Sequence, residues 1–146
     1  SLHIILRYEL EKALINGELE VKDLPSAWND KMEELLGIRP TNDSEGVLQD
    51  VHWSSGSFGY FPSYALGYLY AAQLKNAMDK EIPHFDDLLR EGNVAPIKEW
   101  LTKHIHQYGK SKQPLDILKD ATGSELDASY LLNYLQTKYR NVYRLS

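Results

Sequence analysis

An all-α fold follows from three observations on the sequence. Apolar residues recur at i, i+3, i+4 and i+7 in several separate stretches, the mark of one buried helix face. No segment alternates apolar and polar residues with a sustained period of two, so no strand is expected. Glycine and proline sit at the ends of the periodic stretches, where helices stop and start. There is no internal repeat, no low-complexity tract and no linker. The expected architecture is an irregular helical bundle forming a single unit over residues 1–146, with no internal boundary.

The first helix is expected over Leu2–Asn16. Leu6, Leu10, Ala13 and Leu14 make its apolar face, and Gly17 ends it. It has no cap before Leu2, as in a helix cut in its middle. Arg7 and Glu11 stand four apart and are expected to pair weakly on the solvent side, because the Arg-then-Glu order is the less favourable one. Asp23 caps a second helix with Pro25 in its first turn. Ala27, Trp28, Met32, Leu35 and Leu36 form its stripe, and Gly37 closes it. Residues 38–45 are polar and turn-rich, hence a loop.

Residues 46–61 read as a short irregular segment in which Gly56 and Gly59 let the backbone bend. Pro62 then opens the longest helix, running to about Lys80. Gly67 inside it predicts close packing or the approach of a ligand, since glycine costs about 1 kcal/mol in a helix interior. Pro83 introduces a short helix over His84–Glu91. Ala95–Gln107 follows, with Ile97, Trp100, Leu101 and Ile105 inward. Pro114 starts another short helix over Leu115–Lys119. Asp127 caps the last one, Ala128 to about Tyr143, whose apolar face is Leu131, Leu132, Leu135 and Tyr139.

Composition narrows the function classes. The apolar fraction is 42% and the charged fraction 25%, ordinary for a globular domain with a real core. A net charge of −5 argues against a nucleic-acid partner, which would need clustered Lys and Arg. No apolar run approaches the length of a membrane span, and Ser1–Ile15 reads as an amphipathic charged helix rather than a signal peptide. The absence of cysteine removes disulfides and thiol catalysis and fits a cytoplasmic protein.

The segment 46–73 differs from the rest. Asp50, His52 and Trp53 lie together, followed by the aromatic run Phe58, Tyr60, Phe61, Tyr64, Tyr68 and Tyr70. Aromatics beside titratable groups exclude water and keep hydroxyl donors available, which suits a partly buried recognition site. Taken alone, however, such a stripe reads as core packing more often than as a site.

Gly46, Gln49, Asp50, His52 and Trp53 fit the pattern GxxQDxHW, and FGYFPSYALG, Phe58 to Gly67, continues it. Together they resemble the carboxypeptidase Taq family of thermostable metallocarboxypeptidases. The opening HIILRYELEKALI and the closing SELDASYLLNYLQTKY are similar to the same family. The HExxH zinc helix of that family and its further glutamate ligand do not occur in these 146 residues, and neither does its IRxxAD motif. The resemblance therefore implies the C-terminal portion of a larger, mainly helical HExxH-type metallopeptidase that cleaves the last peptide bond of a peptide with a free C-terminus. It implies zinc or another divalent metal held by ligands outside this chain, an N-terminal part of the same enzyme as partner, and a homodimer for the full-length protein. The chain alone is expected to be inactive.

The residues bear on the site as follows. None of the histidines, His3, His52, His84, His104 and His106, is four from another, so none forms the i, i+4 zinc pair. His104 and His106 are two apart and point to nearly opposite sides of a helix. His52 stands apart because Asp50 is near enough to orient its ring and Trp53 to shield it. By resemblance to helical HExxH peptidases, His52, Tyr60 and Tyr64 are the expected catalytic donors to an oxyanion or to the substrate carboxylate. Gln49 and Asp50 are the expected substrate-binding residues, although a structural role for Asp50 is equally consistent with its position. Tyr68 and Tyr70 are expected in the core, Arg7 on the surface or in a pair. Ser54, Ser55 and Ser57 lie in a flexible turn without a GxSxG elbow, and Asp86–Asp87 and Glu33–Glu34 are adjacent pairs facing apart. The competing class is a non-catalytic helical interaction or scaffold module.

Overall fold

The computed structural model describes residues 1–145. Seven α-helices and three short 3₁₀ turns account for its regular structure, with no strand among the described residues. The helices are α1 (Leu2–Ile15), α2 (Leu24–Leu36), α3 (Phe61–Glu81), α4 (Phe85–Arg90), α5 (Ala95–His104), α6 (Pro114–Thr122) and α7 (Ser129–Tyr143). The all-helical expectation holds. The chain divides into two compact units, Ser1–Leu66 and Gly67–Ser146. The division falls within α3, so it leaves no linker for composition to reveal.

In the first unit, α1 packs against α2. Leu6 and Leu10 are one helical turn apart, as are Trp28 and Met32, and these four buried side chains form the core. Each contributes on the order of 1.5–3 kcal/mol by leaving water. Leu19, Leu24, Leu35, Leu36, Val47 and Trp53 close around them. Gly37 ends α2 in the left-handed conformation at φ 68°, its N–H donating to the Glu33 carbonyl at 3.0 Å. The loop beyond returns to α2 at Gly46. A Cβ there would lie 3.1 Å from Asn29 Oδ1 and 3.3 Å from the Asn42 carbonyl, so any larger residue would have to push these neighbours aside. A 3₁₀ turn, Val47–Gln49, then delivers Asp50, His52 and Trp53.

In the second unit, Ala77, Met78, Ile82, Phe85, Trp100 and Ala121 form a buried core, with Ile97, Leu101 and Ile105 packed on it as their spacing predicts. Gln73 is fully buried and satisfied. Its amide donates to Thr122 Oγ1, Ser124 Oγ and the Glu125 carbonyl, and its oxygen accepts the Asp127 N–H. Asp127 Oδ1 accepts the Ser129 N–H at 2.8 Å, the expected anchoring of α7.

Several local expectations change. Helix α6 extends to Thr122 because Gly123, left-handed at φ 78°, is its stop. Helix α5 ends at His104, and a 3₁₀ turn over His106–Tyr108 follows. Gly67 meets nothing within 4 Å, so neither packing nor close approach accounts for it in this chain. Tyr68 is exposed rather than in the core, and Leu132 and Tyr139 on α7 are exposed as well. Arg7 and Glu11 do not pair with each other. Each reaches across to the 50–59 segment, for reasons given next.

Candidate functional site

Helix α1 carries two adjacent rows of side chains. Leu6 and Leu10 point into the core. One residue further round, about 100° on the helix, His3, Arg7 and Glu11 form a polar row at i, i+4, i+8. This row meets the segment that follows the 3₁₀ turn, and the meeting builds the site.

Asp50 is its pivot. The carboxylate is fully buried and accepts four hydrogen bonds. Arg7 Nε donates to Oδ2 at 2.8 Å and His52 Nδ1 donates to the same oxygen at 3.2 Å. The backbone N–H groups of His52 and Trp53 donate to Oδ1 at 2.9 and 3.2 Å. Four bonds exhaust the acceptor sites of a carboxylate. Burial pushes the Asp50 pKa up, but Arg7, the Trp53 N–H and His52 together outweigh it and hold the group below the ordinary carboxylate range. All four bonds come from groups of this chain and tie the 50–53 segment to α1.

Arg7 is the pairing arginine that its position allowed, half-buried and with Asp50 as its partner. Its guanidinium lies 4.8 Å above the Trp28 ring, and Nη1 donates to the His3 carbonyl at 3.0 Å. Burial and the neighbouring Arg7 charge lower the His3 pKa, which favours its neutral imidazole.

The Asp50 carboxylate can only accept, so the His52 proton at Nδ1 is directed to it. In neutral His52 this leaves Nε2 as an acceptor, and the Tyr64 hydroxyl lies 3.1 Å from it. The result is a chain of side chains running Arg7, Asp50, His52, Tyr64, from buried to exposed. The imidazole is set on edge against Phe61 at 4.9 Å and stacked near Tyr60 at 6.3 Å, and the Tyr60 and Tyr64 rings cross at 5.2 Å. Phe61 is fully buried, while Tyr60 is half exposed. The three expected donors thus stand together. A cleft of about 700 Å³ opens beside them, lined by Arg7, Trp28, Gln49, His52 and Tyr64. Gln49 is exposed on its rim, with its amide donating to the Ser44 carbonyl. A larger hollow of about 820 Å³ in the second unit, between Lys75, Asp79, Asp127 and Tyr130, contains none of the expected site residues.

Sequence reasoning passed over Glu11. It is a buried carboxylate that accepts the Trp53 indole N–H at 2.8 Å and the Gly59 backbone N–H at 2.7 Å. The available signal was its place in the polar row directly beside the apolar one. Among the described residues no group of three or more His, Cys, Asp or Glu is placed to hold a metal ion.

Residues 1–139 match a protein family described as carboxypeptidase Taq (M32) metallopeptidase. Carboxypeptidase 1 of Bacillus subtilis is 60% identical over 144 residues, covering 99% of this chain and 29% of that protein. Thermostable carboxypeptidase 1 of Pyrococcus furiosus is 46% identical over 139 residues, covering 95% of this chain and 28% of its own length. Among solved structures, an M32 carboxypeptidase from Deinococcus radiodurans superimposes with a TM-score of 0.91 at 34% identity, over 99% of this chain and 29% of that one. The chain therefore spans under a third of the length of the relatives it matches.

Proposed function

The chain belongs to the carboxypeptidase Taq (M32) metallopeptidase family, and we propose that it forms the substrate-side wall of a metallocarboxypeptidase that releases the last residue of a peptide. The observation that carries this reading is the ordered line Asp50, His52, Tyr64 ending at a cleft, with Tyr60 beside it. A tetrahedral intermediate of peptide hydrolysis places negative charge on the former carbonyl oxygen. Preorganised donors facing that oxygen stabilise it without having to reorient during the reaction. Tyr60 presents its hydroxyl on a rigid ring, and Tyr64 presents its own to the cleft in the state in which a protonated His52 donates to it from behind.

The family is one of metallopeptidases, and the residues here do not fit a metal site, so the metal ligands would come from outside these 146 residues. The peptide's free carboxylate would require donors of its own. Gln49 on the cleft rim and the tyrosine hydroxyls are the candidates within this chain.

The test uses the full-length protein. Metal-loaded protein is expected to release a free C-terminal amino acid from an N-blocked dipeptide and to leave a C-terminally amidated one intact. A full-length protein that turns over neither substrate would instead support a helical interaction module.

A further inference from the structure

We propose that Glu11 is a positioning residue for Tyr60, an assignment that rests on the carboxypeptidase reading above. The geometry is specific. Residues 54–58 form a loop that bonds mainly to its own flanks. Ser55 and Ser57 donate backbone N–H groups to the His52 carbonyl, and Gly56 donates to that of Trp53. Gly56 and Gly59 both take positive φ, 77° and 72°, so the chain turns at each. The direction in which it leaves Gly59 decides where Tyr60 stands, because Tyr60 immediately precedes α3 and its carbonyl accepts the Ser63 N–H.

Glu11 grips both ends of this loop from α1. One carboxylate oxygen takes the Trp53 indole N–H and the other takes the N–H of Gly59, the residue before Tyr60. Trp53 is itself fixed, edge-on to both Trp28 at 6.1 Å and Phe61 at 6.0 Å. A single buried side chain therefore ties the position of the Gly59 hinge to the core of the unit. The hydrogen bonds of Glu11 go to Trp53 and Gly59, so its effect on the reaction would pass through the Gly59 hinge to Tyr60.

A carboxylate is needed for this because both partners are donors. A glutamine of the same size offers one acceptor and one donor. Whichever way its amide turns, an N–H faces either the indole N–H or the Gly59 N–H, and one of the two bonds becomes a repulsion.

Glu11→Gln in the full-length, metal-loaded protein tests this. The expected result is a fall in kcat of about 10- to 100-fold with KM changed far less, the scale for a small misplacement of a reacting group. Trp53→Phe removes one of the two donors, so glutamine can then serve Gly59 alone. In that background Glu11→Gln is expected to lower kcat by less than threefold, a rescue that a general loss of stability would not produce. Should Glu11→Gln fail to fold, Glu11→Asp keeps the charge but is too short to reach both donors, and is expected to show the same kcat loss. An unchanged kcat/KM at a temperature where the variant is folded overturns the proposal and makes Glu11 a purely structural group. Equal losses in both backgrounds overturn it too. A wild-type protein without peptidase activity ends the carboxypeptidase reading itself, and the positioning role with it.

Discussion

The His52 imidazole and the Tyr64 hydroxyl, twelve residues apart, meet at 3.1 Å because α3 begins at Phe61 and brings its first turn back over the histidine. The proton between them has a direction. With Nδ1–H donated to Asp50, neutral His52 accepts a hydrogen bond from the Tyr64 O–H at Nε2. A protonated His52 would donate at Nε2, turning the Tyr64 O–H outward into the cleft. The buried end of the chain, where Arg7 faces Asp50, thereby influences which group at the exposed end presents a donor.

Asp50→Asn is expected to destabilise the first unit by about 3–5 kcal/mol at pH 7, the cost of removing one partner of a buried ion pair. It leaves Arg7 without its carboxylate, and an amide cannot accept all four bonds. The Asp50 pKa is lowered in the folded chain, so its stabilisation is fully present above the unfolded value, about 3.9, and is lost as pH falls through the folded value. Urea unfolding of both proteins, followed from pH 7 down to pH 2, should show the difference between them shrinking below pH 4. A gap that stays constant with pH would mean that ionisation of Asp50 contributes nothing.

Gly46→Ala is expected to cost about 1–3 kcal/mol, the range for forcing extra volume into a packed position. The new methyl would press on Asn29 and on the 40–42 loop, displacing the turn that delivers Asp50. Gly67→Ala provides the contrast, since its methyl meets nothing, and it is expected to be neutral or slightly stabilising. Thermal melts of the two variants beside wild type check both. Equal behaviour would refute the distinction.

Helix placement was legible because its determinants are local. The apolar period, Pro62 and Pro114 near helix starts, and Gly37 as a stop each act within a few residues, and the helices formed there. The end of α6 was missed because its stop, Gly123, lies four residues beyond Lys119, where the expected helix ended. The site was legible only through the resemblance. Taken alone, an aromatic stripe around His52 reads as packing. The partners of Arg7 and Glu11 lie 42 to 48 residues away, and spacing along α1 carries no information about them. Their four-residue separation suggested a local pair, which tertiary structure replaced with three longer-range hydrogen bonds, Arg7 to Asp50 and Glu11 from Trp53 and Gly59. Exposed Tyr68 and Leu132 show the converse, apolar patterning without burial in this chain.

The 146-residue chain, purified alone, is expected to carry far less than one equivalent of zinc and to release no C-terminal residue. The reasoning is geometric, since no histidines have ligand spacing and no carboxylate cluster substitutes for them. Atomic emission on the dialysed chain, together with an assay on a blocked dipeptide, measures both. One tightly held zinc per chain with turnover would show that the chain contains a complete site.

Substitutions in the full-length protein separate the roles of Tyr60, Tyr64 and His52. Tyr64→Phe removes the hydroxyl that His52 holds and little else, because the ring remains against Tyr60. If that hydroxyl faces the oxyanion, kcat should fall by about 10² to 10³ with KM nearly unchanged, the scale for losing one such donor. His52→Ala should give a loss of similar size, since Tyr64 then lacks its partner, and the double variant should be little worse than either single one. Residues that act as a unit are not additive in this way by accident. Tyr60→Phe is the independent arm. Tyr60 is half exposed and its ring, not its hydroxyl, meets His52, so stability should be retained. A fall in kcat makes it a second oxyanion donor, whereas a raised KM makes it a ligand of the substrate carboxylate. Wild-type values of both constants for Tyr60→Phe would remove it from the site, and with it the function that Glu11 serves. Additive losses for His52→Ala and Tyr64→Phe would break the line from Asp50 to the cleft.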